Sequence, residues 1–588
     1  MTDKGSNAHG ADDPPASAVA QPLLLAIDSA IRHLTSLRAI VAAVPAERAD
    51  DPTVKLDGKG VVETVRLLIA QILRTPESAA QHYARFAGEA LDIFDRTSSL
   101  APAKGDFRFK DRLWTESPFF GVLLQLYLSL ERSVLAWLDD QPLPDEDKRR
   151  IHFVLEQLTA AAAPSNLPLN PAALRRAKTT EGQSVIDGVR NLIDDVQYNR
   201  AMPRQISPHA YRIGVDLAVT PGAVVHRNDQ LELIQYTPHT PDVRRRPVLL
   251  IPPQINKYYC FDLRPQNSVI AHMLRSGIQI FTLSWRNPSA AEASWNLDTY
   301  VGATVEAMDA VSTITRSDTM GLISACAGGL TAMATIGYLA ARAPRRVAHH
   351  SLLVTSLFPN QGSKLELFAT RDLLEAARLH AASSGVMEGE ALAKIFSWLR
   401  PTDLVWRYWI NNYLLGKSPP PLDVLYWDND STRLPAGLQG DFIDMYARDV
   451  FRQPGRIAVL GELLDFNRVE VDSYIVGGEE DYLMPWPGCY LACQQFRGDH
   501  QFVLSNSGHV QSILRPPRLA SAHYFTNHRI GSSAAEWRAT CTRHEGTWWS
   551  HWHDWLNARS GDLITAPSAS GCHDYPPSTA APGNYVMD

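Results

Sequence analysis

Cysteine is scarce in this chain: six residues in 588 (Cys260, Cys326, Cys489, Cys493, Cys541 and Cys572), too few and too scattered for a disulfide framework. Nothing at the amino terminus has the charged, apolar and small-residue order of a secretory leader, so a reducing cytoplasm is the expected compartment. Long apolar runs are missing as well. The longest, Phe119 to Leu130, is broken by Gly121, Gln125 and Ser129. It falls short of the roughly 20 residues a spanning helix needs, and no integral membrane association is expected. An excess of one charge sign is lacking, since a net charge of −7 is small for this length. It offers no global attraction for nucleic acid or anionic lipid, and no nucleic-acid partner is expected. No G-x-x-x-x-G-K-[ST], and no G-x-G-x-x-G after a strand, is present to cradle a nucleotide phosphate, and no cofactor is expected. Cys489 and Cys493 stand one helical turn apart without a second pair, and His551 and His553 cannot face the same way on a helix, so no metal is expected.

What is present is material for a large core. Hydrophobic residues make up 45% and charged residues 20%, which excludes a chain disordered throughout. The length calls for two or more structural units. Residues 1–20 are rich in Ala, Asp, Gly, Pro and Ser and read as a disordered tail. From 21 to 205 apolar residues recur at helical spacing, as in Val61 to Leu73 and Pro118 to Asp139, predicting a mostly helical N-terminal domain. From 206 to 588 the pattern changes. Short apolar runs (Pro247 to Ile251, Ile278 to Ser284, Thr319 to Ala325, Val347 to Val354) alternate with helical stretches, the signature of a parallel, doubly wound sheet. Between about 360 and 450 the strand signal lapses into aromatic-rich and helical sequence, read as a cap inserted into the sheet domain. Four tryptophans near the C-terminus (Trp548, Trp549, Trp552, Trp555) are read as core, because each ring supplies a large buried area.

One motif carries chemistry. Gly321-Leu-Ile-Ser-Ala-Cys-Ala-Gly-Gly329 sets a cysteine directly after an apolar run, between small residues and ahead of a helix-forming segment. That is the layout of a nucleophile elbow in an α/β-hydrolase fold, where residues two before and two after the nucleophile, here Ser324 and Gly328, must be small. Cys326 would then stand at a helix N-terminus, whose partial positive charge favours a thiolate. A cysteine among small residues is more often a packing residue. The downstream partners reverse that reading, because acid and base follow in the order this fold uses. Asp481 follows the strand Tyr474-Ile-Val-Gly-Gly478, and His509 follows the strand Phe502 to Leu504 in Ser505-Asn-Ser-Gly-His509. Glu479 and Glu480 are rivals for the acid, although charges one position past a strand end are commonly solvated. The first oxyanion donor in such a fold is the amide after the nucleophile, Ala327. The second comes from the loop after the first parallel strand, where Ile255 in Pro252-Pro-Gln-Ile-Asn-Lys-Tyr-Tyr259 is the candidate. A rigid Pro-Pro turn with structural aromatics accounts for those residues equally well.

These motifs, together with Asp106-Phe-Arg-Phe-Lys-Asp-Arg-Leu-Trp114, Ser284-Trp-Arg-Asn-Pro288 and Asp430-Ser-Thr-Arg-Leu-Pro435, resemble the polyhydroxyalkanoate synthases over most of the chain. The family's usual box is G-x-C-x-G-G, and Ser324 replaces its first glycine. The resemblance implies an acyltransferase that polymerises (R)-3-hydroxyacyl-CoA into polyester, with nucleophile, acid and base on Cys326, Asp481 and His509. It also implies a cytoplasmic homodimer at the surface of polyester granules, with phasins among its neighbours. Pro-Pro-Gln-Ile-Asn-Lys, Ser-Asn-Ser-Gly-His and Ala-Ala-Pro-Gly-Asn-Tyr-Val586 look more like the medium-chain-length (class II) branch than the short-chain (class I) branch, while the long N-terminal region leans the other way. Two other readings stay open at this point: a cysteine-dependent thioesterase or intracellular polyester depolymerase of the same fold, and a granule scaffold that has lost turnover.

Overall fold

The structure, a computed structural model, describes residues 64–588 except 360, 369, 370 and 518. The expected tail at 1–20 and the first part of the helical region lie outside the described residues. The described chain divides into two compact units at Pro164/Ser165. The N-terminal helical region was expected to run to 205, but its last helices belong to the second unit.

In the first unit, α1 (Pro76–Phe94), α2 (Pro118–Asp139) and α3 (Asp145–Ala162) follow a helix at 64–74. Proline at the first position of α1 and of α2 suits a helix start, where its missing N–H costs nothing. The Asp106 to Trp114 motif is a packing device. The Asp106 carboxylate caps Arg108 N and accepts the Arg108 guanidinium, which also donates to Tyr127 Oη at 2.9 Å. Phe109, Trp114, Leu124 and Tyr127 bury one another beside it. The expectation that no segment is long and apolar enough to span a membrane is corrected on length and composition. α2 continues past Leu130 for 22 residues in all, and it passes that test because helix propensity bridges the polar interruptions at Gln125 and Ser129. Most of it is not buried in the chain.

The second unit opens with α4 (Pro171–Thr179) and α5 (Gln183–Tyr198). α5 packs against a π-helical turn, Trp409–Leu414, so closely that a Cβ on Gly188 would lie 2.0 Å from Tyr413 O. Its opposite face leaves Val185, Ile186, Val189, Ile193 and Val196 at least half exposed. The sheet has ten strands: β1 (Gly222–Arg227), β2 (Leu231–Tyr236), β3 (Val248–Ile251), β4 (Ile280–Trp285), β5 (Met320–Ala325), β6 (Val347–Leu353), β7 (Asp472–Gly478), β8 (His500–Ser505), β9 (His523–Thr526) and β10 (Thr542–Glu545), in spatial order β1-β2-β4-β3-β5-β6-β7-β8-β9-β10. From β4 to β8 neighbours are parallel, as the alternating pattern predicts, while the strand pairs at each edge are antiparallel. β3 and β5 are buried along their whole length, as strands covered on both faces must be. Together with α6 (Val269–Arg275), α7 (Leu297–Thr315), α8 (Ala327–Arg342), α9 (Arg371–Ser384), α10 (Gly389–Leu399), α11 (Asp423–Asn429), α12 (Ala436–Ala447), α13 (Trp486–Gln495), α14 (His509–Leu514) and α15 (Trp549–Arg559) this is an α/β-hydrolase fold. Between β6 and β7 the chain leaves the sheet for a helical excursion, the region read from sequence as a cap.

The four tryptophans near the C-terminus are buried, three of them on α15 (Trp549–Arg559). Within β6 itself stand two buried histidines, His349 and His350, held neutral. Burial pushes both down to about 3, and Arg246 and Arg559 add to the effect at His349. Neither ring nitrogen of His349 has a hydrogen-bond partner among the described residues, and Gly321 leaves space for the ring, since a Cβ there would lie 2.1 Å from its Cε1.

The two depressed histidines set a sign for pH dependence. Below about 6.5 the unfolded chain takes up protons that the folded chain refuses, so stability falls as pH drops from 6.5 toward 3. Each ring contributes up to about 1.4 kcal/mol per pH unit in that window. Urea unfolding of His349→Leu between pH 7 and 4 is expected to depend less steeply on pH than that of the parent; parallel curves would show that His349 has no part in it.

Candidate active site

Strand register decides what meets at the C-terminal edge of the sheet. Ser324 at the end of β5 pairs with Ile251 at the end of β3 on one side and with Leu352 on the other. Gly478, ending β7, pairs with Ser505 on β8. The loops that leave β3, β5, β7 and β8 therefore open on one edge, where ligands bind in open α/β sheets.

Cys326 sits in the turn between β5 and α8 (Ala327–Arg342) with φ 49° and ψ −128°. A side chain at positive φ is strained, by about 1–3 kcal/mol, and persists only where its surroundings fix it. Here Cys326 N donates to Leu353 O at 3.1 Å, and Cys326 O accepts from Gly329 N at 2.9 Å and Thr355 Oγ1 at 3.2 Å. The small neighbours are required. A Cβ on Gly328 would lie 2.6 Å from Ile251 O, Pro252 C and Pro252 O, and one on Gly329 would lie 2.4 Å from Thr355 Oγ1. Ser324, in place of the usual glycine, is fully buried and shares a 2.7 Å hydrogen bond with His350 Nε2, so the extra hydroxyl is satisfied rather than tolerated. The sulfur itself is partly accessible.

Asp481 and His509 meet. His509 Nδ1 and Asp481 Oδ2 are 2.7 Å apart, and the buried carboxylate also accepts Leu483 N and Met484 N on its other oxygen, each at 2.9 Å. Burial disfavours the imidazolium, but the Asp481 carboxylate, hydrogen-bonded to the ring, and the neighbouring Cys326 hold His509 well above the ordinary imidazole range. The rival acids point elsewhere: Glu479 pairs with Arg538 at 2.8 Å, and Glu480 is exposed. His509 is the first residue of α14 (His509–Leu514), whose last turn is braced from below. The Trp548 and Trp549 indoles donate to Ser512 O and Ile513 O at 2.7 and 3.0 Å. The aromatic cluster near the C-terminus is thus both core and the seat of the histidine helix.

The loop after β3 is held on every side. Trp285 Nε1 donates to Pro252 O at 2.9 Å, and the Gln254 side chain donates to Thr331 Oγ1 on α8 at 2.9 Å. Thr432 donates from its hydroxyl to Gln254 O at 2.7 Å and from its amide to Ile255 O at 3.1 Å. Lys257 and Asp430 form a largely buried ion pair at 2.7 Å, reinforced by Tyr259 Oη on Asp430 Oδ2 at 2.9 Å. Among the described residues the Ile255 N–H has no partner, and Ile255 and Cys326 pack against the same core. Ala327 N–H, in the first turn of α8, points out of the helix like other first-turn amides. Asp428, in the same segment as Thr432, is pushed up to about 6 by burial and drawn back by the facing His509. Sequence reasoning gave the Asp430 to Pro435 segment no role beyond resemblance, and it did not single out Thr355 or His350. Their partners lie dozens to hundreds of residues away, and no local pattern announces such pairings.

Residues 105–273 match the family described as Poly-beta-hydroxybutyrate polymerase (PhaC) N-terminus, and residues 247–516 match the alpha/beta hydrolase fold. Over 538 residues the chain is 41% identical to Poly(3-hydroxyalkanoate) polymerase 1 of Ectopseudomonas oleovorans, covering 92% of this chain and 96% of the relative. It is 42% identical to polymerase 2 of the same organism over 90% and 95% of the two chains. Poly(3-hydroxyalkanoate) polymerase subunit PhaC of Cupriavidus necator is 34% identical over 82% of this chain and 83% of its own. Identity at this level along nearly the full length, on a sheet that ends in a strained cysteine elbow, makes the chain a member of the poly(3-hydroxyalkanoate) polymerase family.

Proposed function

We propose that this polymerase builds poly(3-hydroxyalkanoate) from (R)-3-hydroxyacyl-CoA through an acyl-cysteine on Cys326, with His509 as base and Asp481 as the group that orients it. The observation that carries the reading is the 2.7 Å His509–Asp481 hydrogen bond beside the cysteine elbow. The imidazole takes the Cys326 proton, and the thiolate attacks the thioester carbonyl. A tetrahedral oxyanion forms, held by the Ala327 and Ile255 amides. The carbon–sulfur bond to CoA breaks, CoA leaves with the proton from His509, and the acyl group remains as a thioester on Cys326. Sulfur suits the task because thioester is exchanged for thioester and the acyl group stays activated. His509 then removes the proton from the 3-hydroxyl of the next acyl-CoA, whose oxygen attacks the acyl-cysteine. The new ester extends the chain, and Cys326 is regenerated by the proton from the imidazolium. The extended CoA thioester reacylates Cys326, so each added unit releases one CoA. Asp481 stabilises the imidazolium in both half-reactions.

Water competes with the hydroxyl at every cycle, and the region at about 360–450 is read as the cap that disfavours it. Hydrolysis as the main reaction is not favoured, since the relatives are named as polymerases. We place the enzyme in the cytoplasm at the surface of the polyester granule, as a homodimer with phasins among its neighbours. The exposed apolar row on α5 supports this part of the reading, being a surface of the kind that an apolar partner covers.

Cys326→Ala is expected to abolish CoA release from (R)-3-hydroxyacyl-CoA, and normal turnover by that variant would overturn the assignment. Asp481→Asn keeps the shape and removes the charge, so kcat should fall roughly 10³- to 10⁴-fold. Gly328→Ala forces the β3 loop away from the elbow and should lower kcat by about 100-fold or more, read in the same assay.

A further inference from the structure

We propose that Thr432 is a positioning residue for acyl transfer: its hydroxyl fixes the peptide plane that aims the Ile255 N–H at the oxyanion. The proposal rests on the reading above in which Ile255 supplies the second donor. The Gln254 carbonyl and the Ile255 N–H belong to one planar unit, and in a trans peptide they point in opposite directions. Whatever holds one of them sets the other. Thr432 Oγ1 donates to Gln254 O at 2.7 Å, and no other group among the described residues does so.

Thr432 also controls the next peptide unit, because its amide donates to Ile255 O at 3.1 Å. One residue thus fixes the planes on both sides of the Ile255 Cα. The remaining polar group of the pair, the Ile255 N–H, is left without a partner. Ile255 is partly exposed, so this N–H stays open to an acceptor that arrives with substrate. The oxyanion formed during turnover is such an acceptor.

Thr432 is suited to the task because it is itself immobilised. It is buried, and the residues before it are tied to the same loop. Ser431 bridges to Asn256, Asp430 takes Lys257 and Tyr259, and the Trp427 indole donates to Lys257 O at 2.6 Å. Gln254 is 3% exposed, so without the hydroxyl its carbonyl would be buried and unsatisfied. Rotation of the peptide toward another donor would relieve that cost and would carry the Ile255 N–H out of line.

The test uses the full chain and an (R)-3-hydroxyacyl-CoA that the parent enzyme polymerises. Thr432→Val removes the hydroxyl at nearly constant shape and leaves the backbone bond. Its kcat for CoA release should fall at least tenfold, with KM and the rate of Cys326 alkylation by iodoacetamide, followed on the Cys326 peptide by mass spectrometry, within twofold of the parent. Thr432→Ser, which keeps the donor, should restore kcat to within threefold. If Thr432→Val does not fold, Thr432→Ala removes the same hydroxyl without a second methyl to repack. A kcat within twofold of the parent, or a fall matched in KM or in alkylation, overturns the proposal. The reading beneath it is checked separately by replacing the Ile255 amide with an ester, which deletes the N–H and weakens the Gln254 carbonyl as an acceptor, the second effect being gauged by Thr432→Val. A slowed ester variant beside an unaffected Thr432→Val leaves the donor in place and removes Thr432. An unaffected ester variant removes the Ile255 donor, and Thr432 with it.

Discussion

The turn at Cys326 is the constraint from which the rest follows. A side chain at φ 49° between a strand and a helix has nowhere to relax, and the groups around it are those that keep it there. The neighbouring strand end supplies Leu353 O and the Thr355 hydroxyl, and the helix supplies Gly329 N. The close approach of Pro252 excludes a side chain at Gly328. This one bend lifts the sulfur above the sheet, puts it at the start of α8 and fixes the distance to the loop after β3. Asp481 and His509 come to the same edge because β7 and β8 end level with each other.

Electrostatics at the site comes from burial set against one fixed partner. A solvated imidazole would leave the thiol in possession of its proton over most of the useful pH range. Here the Asp481 carboxylate, itself satisfied by two backbone amides, stabilises the cation in a setting that would otherwise reject it. His349 and His350 show the same burial without a carboxylate partner, and both are driven the other way. The contrast shows what Asp481, with Cys326 beside it, adds against burial, while Arg246 and Arg559 drive His349 further down.

Much of this was legible because it is written in local order. Apolar runs spaced by helical stretches gave the parallel strands, and motif order marked Cys326, Asp481 and His509 as candidates, of which the fold brings Asp481 and His509 into hydrogen-bond contact. The buried tryptophans followed from their size. What was not legible is pairing across distance. Nothing near Ser324 says that its hydroxyl will find His350, and nothing near Gln254 says that Thr432, 178 positions on, will hold its carbonyl. The unit boundary at Pro164 was missed for a related reason: α4 and α5 have the periodicity of any helix, and only their contacts place them with the sheet. α2 was read as a helix holding the longest apolar run, but its span was taken as too short because polar residues interrupt the run without interrupting the helix.

The tryptophan brace under α14 bears on how the enzyme comes into being. A ribosome lays down Cys326 before His509, and Trp548 and Trp549, which steady the histidine helix, follow both. The helix that carries His509 therefore gains its brace only after Cys326 and the whole sheet edge around it have been made.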